Sequence, residues 1–439
     1  MTASFGRGSV CVSEPRPKGA VLIAIAAVAI CIRAAPAPAE FLNYDQAAAA
    51  LNACKLPSPA PRAGWQTWVQ SHDQEIRSRI LRGEEDSLAN FILFGVSFTS
   101  EPRVDPDRPD PQLIRARIDA FVKASESPGS NERLRVLRNL VAAHSAPAQF
   151  LRENIDRNLA ERQQYRRVLD RAPAASAELY RNRGLAPDTN FRPNYAIERA
   201  LADLKTRGAL TSIRRAAIIG PGLDFTDKDS GFDYYPLQSI QPFALIDSLL
   251  KLVLAKLPDL RVSVFDINPQ VLDHLSPPRQ PYTIQLVLDP ARPWSRDTLA
   301  YWHQFGAFVG ISVPPLSPPS QLRNLQRRAV QLNRGVTATL DPRPLNVVLQ
   351  HDSQQYDLIV ATNVFVYYDR LDQALALLNI QSMLNPGGLF LVNSPVLPCP
   401  GQTLHPTGHV DVQYSSQPGD NDRVDLYSNS PLGRPLGPE

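Results

Sequence analysis

Between residues 216 and 394, short apolar runs that stop on glycine, aspartate or asparagine take turns with longer amphipathic stretches. "AAIIG" (216–220), "RVSVFD" (261–266), "YDLIVATN" (356–363) and "GGLFLVNS" (387–394) read as strands. "SIQPFALIDSLLKLVLAKL" (239–257), "PQVLDHL" (269–275) and "RLDQALALLNIQSML" (370–384) read as helices. A helix between successive strands carries the chain back to the same end of a sheet. The alternation therefore predicts an α/β domain with a mainly parallel, Rossmann-like sheet. Further on, "HVDVQYS" and "DRVDLYS" flank the turn "SQPGDN", which predicts a closing antiparallel hairpin. The Pro-rich region from about 275 to 335 lacks either period and reads as an insertion beside the sheet.

Upstream the period is helical. In "WQTWVQSHDQEIRSRIL", Trp65, Trp68, Val69, Ile76 and Ile80 fall near one face. Asn131 is placed to N-cap a helix striped with Leu134, Leu137 and Val141. Helix packing accounts for these stripes. Glu84, Glu85 and Asp86 read either as an acidic site or as a solvated helix start, and the helix dipole favours the second. The expected division is an N-terminal segment 1–39, a helical domain 40–175 and an α/β domain 176–439. A length of 439 residues accommodates all three.

The first segment has its own signature. Arg16 and Lys18 precede the apolar stretch 19–32, and a small-residue site follows at Ala37-Pro38-Ala39. That is the pattern of a secretory signal peptide; 14 apolar residues are short for a spanning helix, though an uncleaved anchor fits too. Membrane contact is expected only through this segment. Removing it takes the net charge from +3 to zero and leaves Cys54 and Cys399, which either form one disulfide or lie unpaired in the core. No basic run interleaves with aromatics, so nucleic acid is not an expected partner. Proline and glycine between His405 and His409 argue against a metal site there.

In doubly wound sheets the chemistry sits beyond the carboxyl ends of the strands. The first strand ends in Gly220-Pro221-Gly222, where missing side chains let the backbone approach a ligand. The second ends at Asp266, whose carboxylate suits the two hydroxyls of a ribose. Asn268-Pro269 follows as an N-cap and first helical residue. Capping the helix is the plainer role for Asp266.

"VFDINPQVL" and "YDLIVATNVFVYYDRLDQALALLNIQSMLNPGGLFLVNS" resemble the corresponding motifs of class I S-adenosylmethionine-dependent methyltransferases. Within "TNVFVYYD", Asn363, Val364, Tyr367 and Asp369 are similar to the "RNVLIYFD" signature of chemotaxis-receptor glutamate methyltransferases, with Thr362 in place of arginine. The resemblance implies a seven-stranded sheet, S-adenosylmethionine as cofactor, and methyl transfer to a small-molecule or protein acceptor that the sequence does not identify. It implies Gly220 and Gly222 at the methionine part, Asp266 with Ile267 at the ribose, and Asp341 or Asn346 near the adenine. Asn363 and Tyr367 would stand at the methyl group, and Tyr367 and Tyr368 would line the acceptor pocket or pack in the core.

This chain also departs from the pattern. Ile218 stands where the family has an acid two places before the first glycine, and Asp224 replaces the third glycine. Gly222 and Asp266 are 44 residues apart, against roughly 20 for a dinucleotide fingerprint. The expectation is that residues 223–241 fold over the cleft, with Asp224 standing in for the missing acid; a surface loop is the alternative. A nicotinamide-dependent oxidoreductase fits less well. An exported methyltransferase-like binding module that no longer catalyses is the second reading, because an exported chain leaves the adenosylmethionine pool. A misassigned start, placing the enzyme in the cytoplasm, or action before export would also resolve the conflict.

Overall fold

The computed structural model describes residues 39–171, 180, 183–226, 232–276, 281–319, 322, 324–400 and 402–430. The N-terminal segment expected to act as a signal peptide or anchor lies, through residue 38, outside them. The described residues belong to one compact unit. It opens with β1 (Glu40–Phe41) and the helices α1 (Tyr44–Ala53), α2 (Trp65–Phe94), α3 (Pro111–Glu126), α4 (Glu132–Ala142) and α5 (Pro147–Arg171). Asn131 caps α4 as expected, accepting from the Leu134 amide at 3.2 Å.

Helix α2 overturns one expectation. Glu84, Glu85 and Asp86 lie inside the helix rather than at its start. Glu85 pairs with Arg157 at 2.9 Å, and Asp86 is buried. From Asp86 onward every residue of α2 is buried. A helix covered on all sides shows no 3.6-residue stripe, so its sequence looked irregular.

The α/β part follows with α6 (Arg192–Thr206), β2 (Arg215–Ile219), α7 (Gln241–Lys251), β3 (Arg261–Asp266) and α8 (Pro269–Leu275). Then come β4 (Thr283–Leu288), α9 (Arg296–Gln304), β5 (Gly310–Val313), β6 (Gln326–Leu332), α10 (Arg334–Thr337), β7 (Leu340–Pro344) and β8 (Gln350–His351). The chain closes with β9 (Tyr356–Ala361), α11 (Arg370–Met383), β10 (Leu384–Val392), β11 (Leu404–Gln413) and β12 (Asn421–Asn429).

Seven strands make the main sheet in the order β11-β12-β10-β9-β2-β3-β7. The five from β10 to β7 run parallel, and β12 and β11 close the edge antiparallel. This is the mainly parallel sheet with a closing hairpin that the strand pattern predicts. The two faces separate by alternation along each strand. Ala216, Ile218, Val262 and Val264 pack under α6 and α7. Ala217, Ile219, Phe265 and Ile359 pack under α1, the first half of α2 and α11.

Two parts were harder to read. Pro342 and Pro344 in β7 argue against a strand, yet β7 is the outer edge, where a missing N–H removes no ladder bond on the open side. The region expected to be irregular holds a three-stranded antiparallel sheet, β4-β6-β5, flanked by α9. Its strands fall between the proline clusters, which supply the connections.

Cys54, at the end of α1, and Cys399, after β10, are joined by a disulfide with their Cα atoms 4.9 Å apart. The sequence left this pairing open.

Candidate functional site

The order in which strands are added to the sheet reverses between β2 and β9: β3 and β7 lie to one side, β10 and the hairpin to the other. Such switch points open a crevice at the carboxyl ends of the two strands. A cavity lies here, at the place where ligands of such sheets sit. Gly220, Gly222, Asp266, Ile267, Asn363 and Tyr367 all line it, with Tyr368, Leu345 and Val347.

Both glycines are required by the backbone, at φ +65° and +66°. The close approach they permit is to the chain itself. A Cβ on Gly220 would stand 2.6 Å from the Val364 side chain, and one on Gly222 would stand 2.4 Å from the Pro187 carbonyl oxygen. The amide of Gly220 donates to Phe265 O at 2.8 Å. The turn is therefore locked into the sheet.

Asp266 closes β3 beside this turn. Its Oδ1 accepts from the Asn268 amide at 2.8 Å, and Asn268 in turn caps α8 through the Gln270 amide at 2.9 Å. Burial pushes the Asp266 carboxyl up to about 6, and the backbone amides of Asn268, Ile267 and Gly222 hold it from rising further. The carboxylate thus joins the glycine turn to the start of the next helix. The helix-capping part and the ribose-facing part are compatible, since two oxygens carry several acceptor positions.

Asn363 follows β9 in the left-handed region, φ +58°, a conformation asparagine tolerates better than most residues. Asn393, at the end of β10, holds it: the Asn363 amide donates to Asn393 Oδ1 at 2.7 Å, and Asn393 Nδ2 donates to Asn363 Oδ1 at 2.9 Å. Tyr367 is held from α2, where Arg79 donates to its carbonyl at 3.1 Å. Burial raises the Tyr367 hydroxyl above its ordinary value, with Asp188 and Asp86 adding to the rise and Arg183 and Arg79 opposing it. The hydroxyl is therefore neutral near pH 7.

No family model and no curated protein matches this sequence. Among solved structures the chain is similar to the N-methyltransferase NodS from Bradyrhizobium japonicum WM9, at 12% identity, 55% of this chain and 100% of that one, TM-score 0.28. It is also similar to TrmN from Thermus thermophilus, at 12% identity, 54% and 52% coverage and TM-score 0.26. A third is MtNAS, solved with MTA and tNA, at 12% identity, 82% and 98% coverage and TM-score 0.26. At these TM-scores the likeness establishes neither kinship nor activity.

Three expected residues, Asp224, Asn346 and Asp341, are not at the cavity wall. Asp224 is buried, accepts from Gln238 Nε2 at 2.8 Å, and its carbonyl takes a bond from Arg133 at 2.8 Å. The described part of 223–241 does not roof the cavity. It packs instead on α4 and the end of α2, where Asp233 accepts from the Val96 amide at 3.0 Å and Ser97 Oγ at 3.1 Å. Asn346 is fully buried; its Nδ2 donates to Asp73 at 2.8 Å, and it shapes the turn from β7 to β8. Its neighbours Leu345 and Val347 face the cavity in its place. Asp341 pairs with Arg343 at 3.0 Å.

The covering of the glycine turn comes from elsewhere. Residues 185–189 cross over it as a strap: Leu223 N donates to Pro187 O at 2.7 Å and Thr189 N to Leu223 O at 2.9 Å. Asp188 and Thr189 of this strap line the cavity. Gly83 of α2 and Gly184 lie in backbone contact; a Cβ on Gly184 would fall 2.1 Å from Gly83 N. Nothing in "NRGLAPDTN" marks it as part of the site, because only the fold brings it there.

Proposed function

We propose that the chain binds S-adenosylmethionine in this cavity and transfers its methyl group to an acceptor. The observation that carries the reading is the convergence of Gly220, Gly222, Asp266 and Asn363 on one cavity at the switch point of the sheet. The residues present fit the cofactor. A half-buried carboxylate at the end of β3 suits two ribose hydroxyls, and Leu345 and Val347 offer an apolar wall beside it for a flat base. A bound sulfonium would supply an already activated methyl group. The chain then contributes position and a dry surround rather than a strong acid or base. Asn363 and Tyr367, fixed by Asn393 and Arg79, are the groups assigned to that positioning. The narrower likeness to glutamate methyltransferases lacks its arginine: Thr362 stands there, buried and bonded by Gln241 at 2.8 Å.

Titration calorimetry of the protein with S-adenosylmethionine and S-adenosylhomocysteine tests the proposal. Binding of both is expected, with a loss of about tenfold or more in Asp266→Ala. Absence of heat with either ligand would end the reading.

The disulfide favours a second reading. Such bonds persist in oxidising compartments, and Cys54–Cys399 therefore supports export of the chain. An exported domain would bind a ligand in this cavity without methyl transfer. Binding without turnover across candidate acceptors would favour it.

A further inference from the structure

We propose that the cavity between α2, α4 and the strap is a second ligand site, which takes a primary amine with an apolar body and holds its ammonium group on Glu84. The site is separate from the cavity at the switch point, and the inference does not depend on the adenosylmethionine reading.

The walls come from distant parts of the chain. Leu137 and Leu140 of α4, Phe225 after the glycine turn and Pro187 of the strap supply the apolar surface, and Glu84 of α2 joins them. Leu137 and Phe225 are buried, whereas Asn139 at the same cavity is exposed, which puts the mouth beside it. Pro187 is the residue shared with the switch-point cavity. The strap therefore stands between the two.

Glu84 is one of three consecutive acids, and it alone serves this wall. Glu85 pairs with Arg157 at 2.9 Å, and Asp86 lies 3.9 Å from the same guanidinium. Glu84 is half-buried at the cavity instead. Among the described residues that line the cavity there is no lysine, arginine or histidine. Burial raises the Glu84 carboxyl above its ordinary value, and the neighbouring Asn268 side chain, not a cation, opposes the rise. Ser87, nearly one turn further along α2, is turned elsewhere: its hydroxyl donates to Gly83 O at 3.2 Å and Asp188 Oδ1 at 3.1 Å. A carboxylate among apolar walls loses hydration that no counter-charge restores. An ammonium group would offset that loss through a charge-assisted hydrogen bond, while the apolar body covers Leu137, Leu140 and Phe225. An anion would meet like charge here, and a neutral ligand would leave Glu84 uncompensated.

Titration calorimetry of the full chain at pH 7 with cyclohexylamine and cyclohexanol tests the site, since the two probes share one ring and differ in charge. The amine is expected to bind about tenfold tighter or more. Glu84→Gln should bring the two within about twofold of each other. Leu140→Trp, which fills the cavity, should weaken both. A smaller preference for the amine in the unaltered protein, or a preference that survives Glu84→Gln, overturns the assignment of the ammonium group. Amine binding untouched by Leu140→Trp overturns the site itself. Should Glu84→Gln not fold, the comparison of the two probes on the unaltered protein and on Leu140→Trp still decides the proposal.

Discussion

Asp266 carries its charge at a cost. Burial raises its folded value to about 6 from an ordinary 3.8, so ionising it disfavours the fold. The sign follows from linkage: the contribution to stability is complete below about 3.8 and is lost as pH rises through about 6. The proposed ribose contact would have the opposite dependence, because accepting two hydroxyls requires the ionised form. Adenosyl-ligand affinity is therefore expected to fall as pH drops from 7.5 to 5. Asp266→Asn should be weaker throughout and flat across that window, as calorimetry at four or five pH values would reveal. Asp266 was legible because its evidence is local: an apolar run, an acid, then Asn-Pro. Asp188 and Asn393 were not, since each reaches its neighbours only through folding of distant segments. Asn346 was misplaced by one residue's orientation, for its two neighbours line the cavity.

At the level of elements, one buried side chain makes three of the bonds that hold the segment after the glycine turn. Arg133 of α4 donates to the carbonyls of Asp224, Phe225 and Tyr235. Leaving such acceptors buried and unpaired costs roughly 1–3 kcal/mol each. Arg133→Ala is expected to lower stability by about 3 kcal/mol or more in urea unfolding, and to weaken ligand binding because Leu223 anchors the strap. Unchanged stability would mean that the segment is held by other contacts. A second attachment, between α2 and α11, runs through His72, which bonds Asp372 at 2.7 Å and Glu75 at 3.0 Å. Burial works against its charge, yet hydrogen bonds and the charges of Asp372 and Glu75 outweigh it and raise the imidazole to about 9. This support is full below the ordinary value of 6.5 and is lost as pH rises through about 9. His72→Gln should flatten the fall in melting temperature between pH 7 and 9.5. The sequence predicted these helices; what it hid was the fully buried C-terminal end of α2 and the proline-bearing edge strand β7.

For the whole molecule, the order of strands decides where a ligand can sit. The alternation of elements predicted a mainly parallel sheet with a closing hairpin; the order of its strands comes from the fold. The inserted three-stranded sheet was not visible, since proline clusters interrupt it. Nor could spacing reveal that α1 returns to the far end of the α/β region. The disulfide fastens these two parts, and Cys54→Ser with Cys399→Ser is expected to cost about 2–4 kcal/mol. A melting temperature unaffected by the double substitution would show that noncovalent packing alone holds α1 in place.

The Cys54–Cys399 bond spans 345 positions along the chain, and thereby closes most of the polypeptide into a ring. Cutting a ring once leaves one piece. A protease that nicks any loop between these cysteines would release nothing: the two fragments would migrate together until a reducing agent parted them.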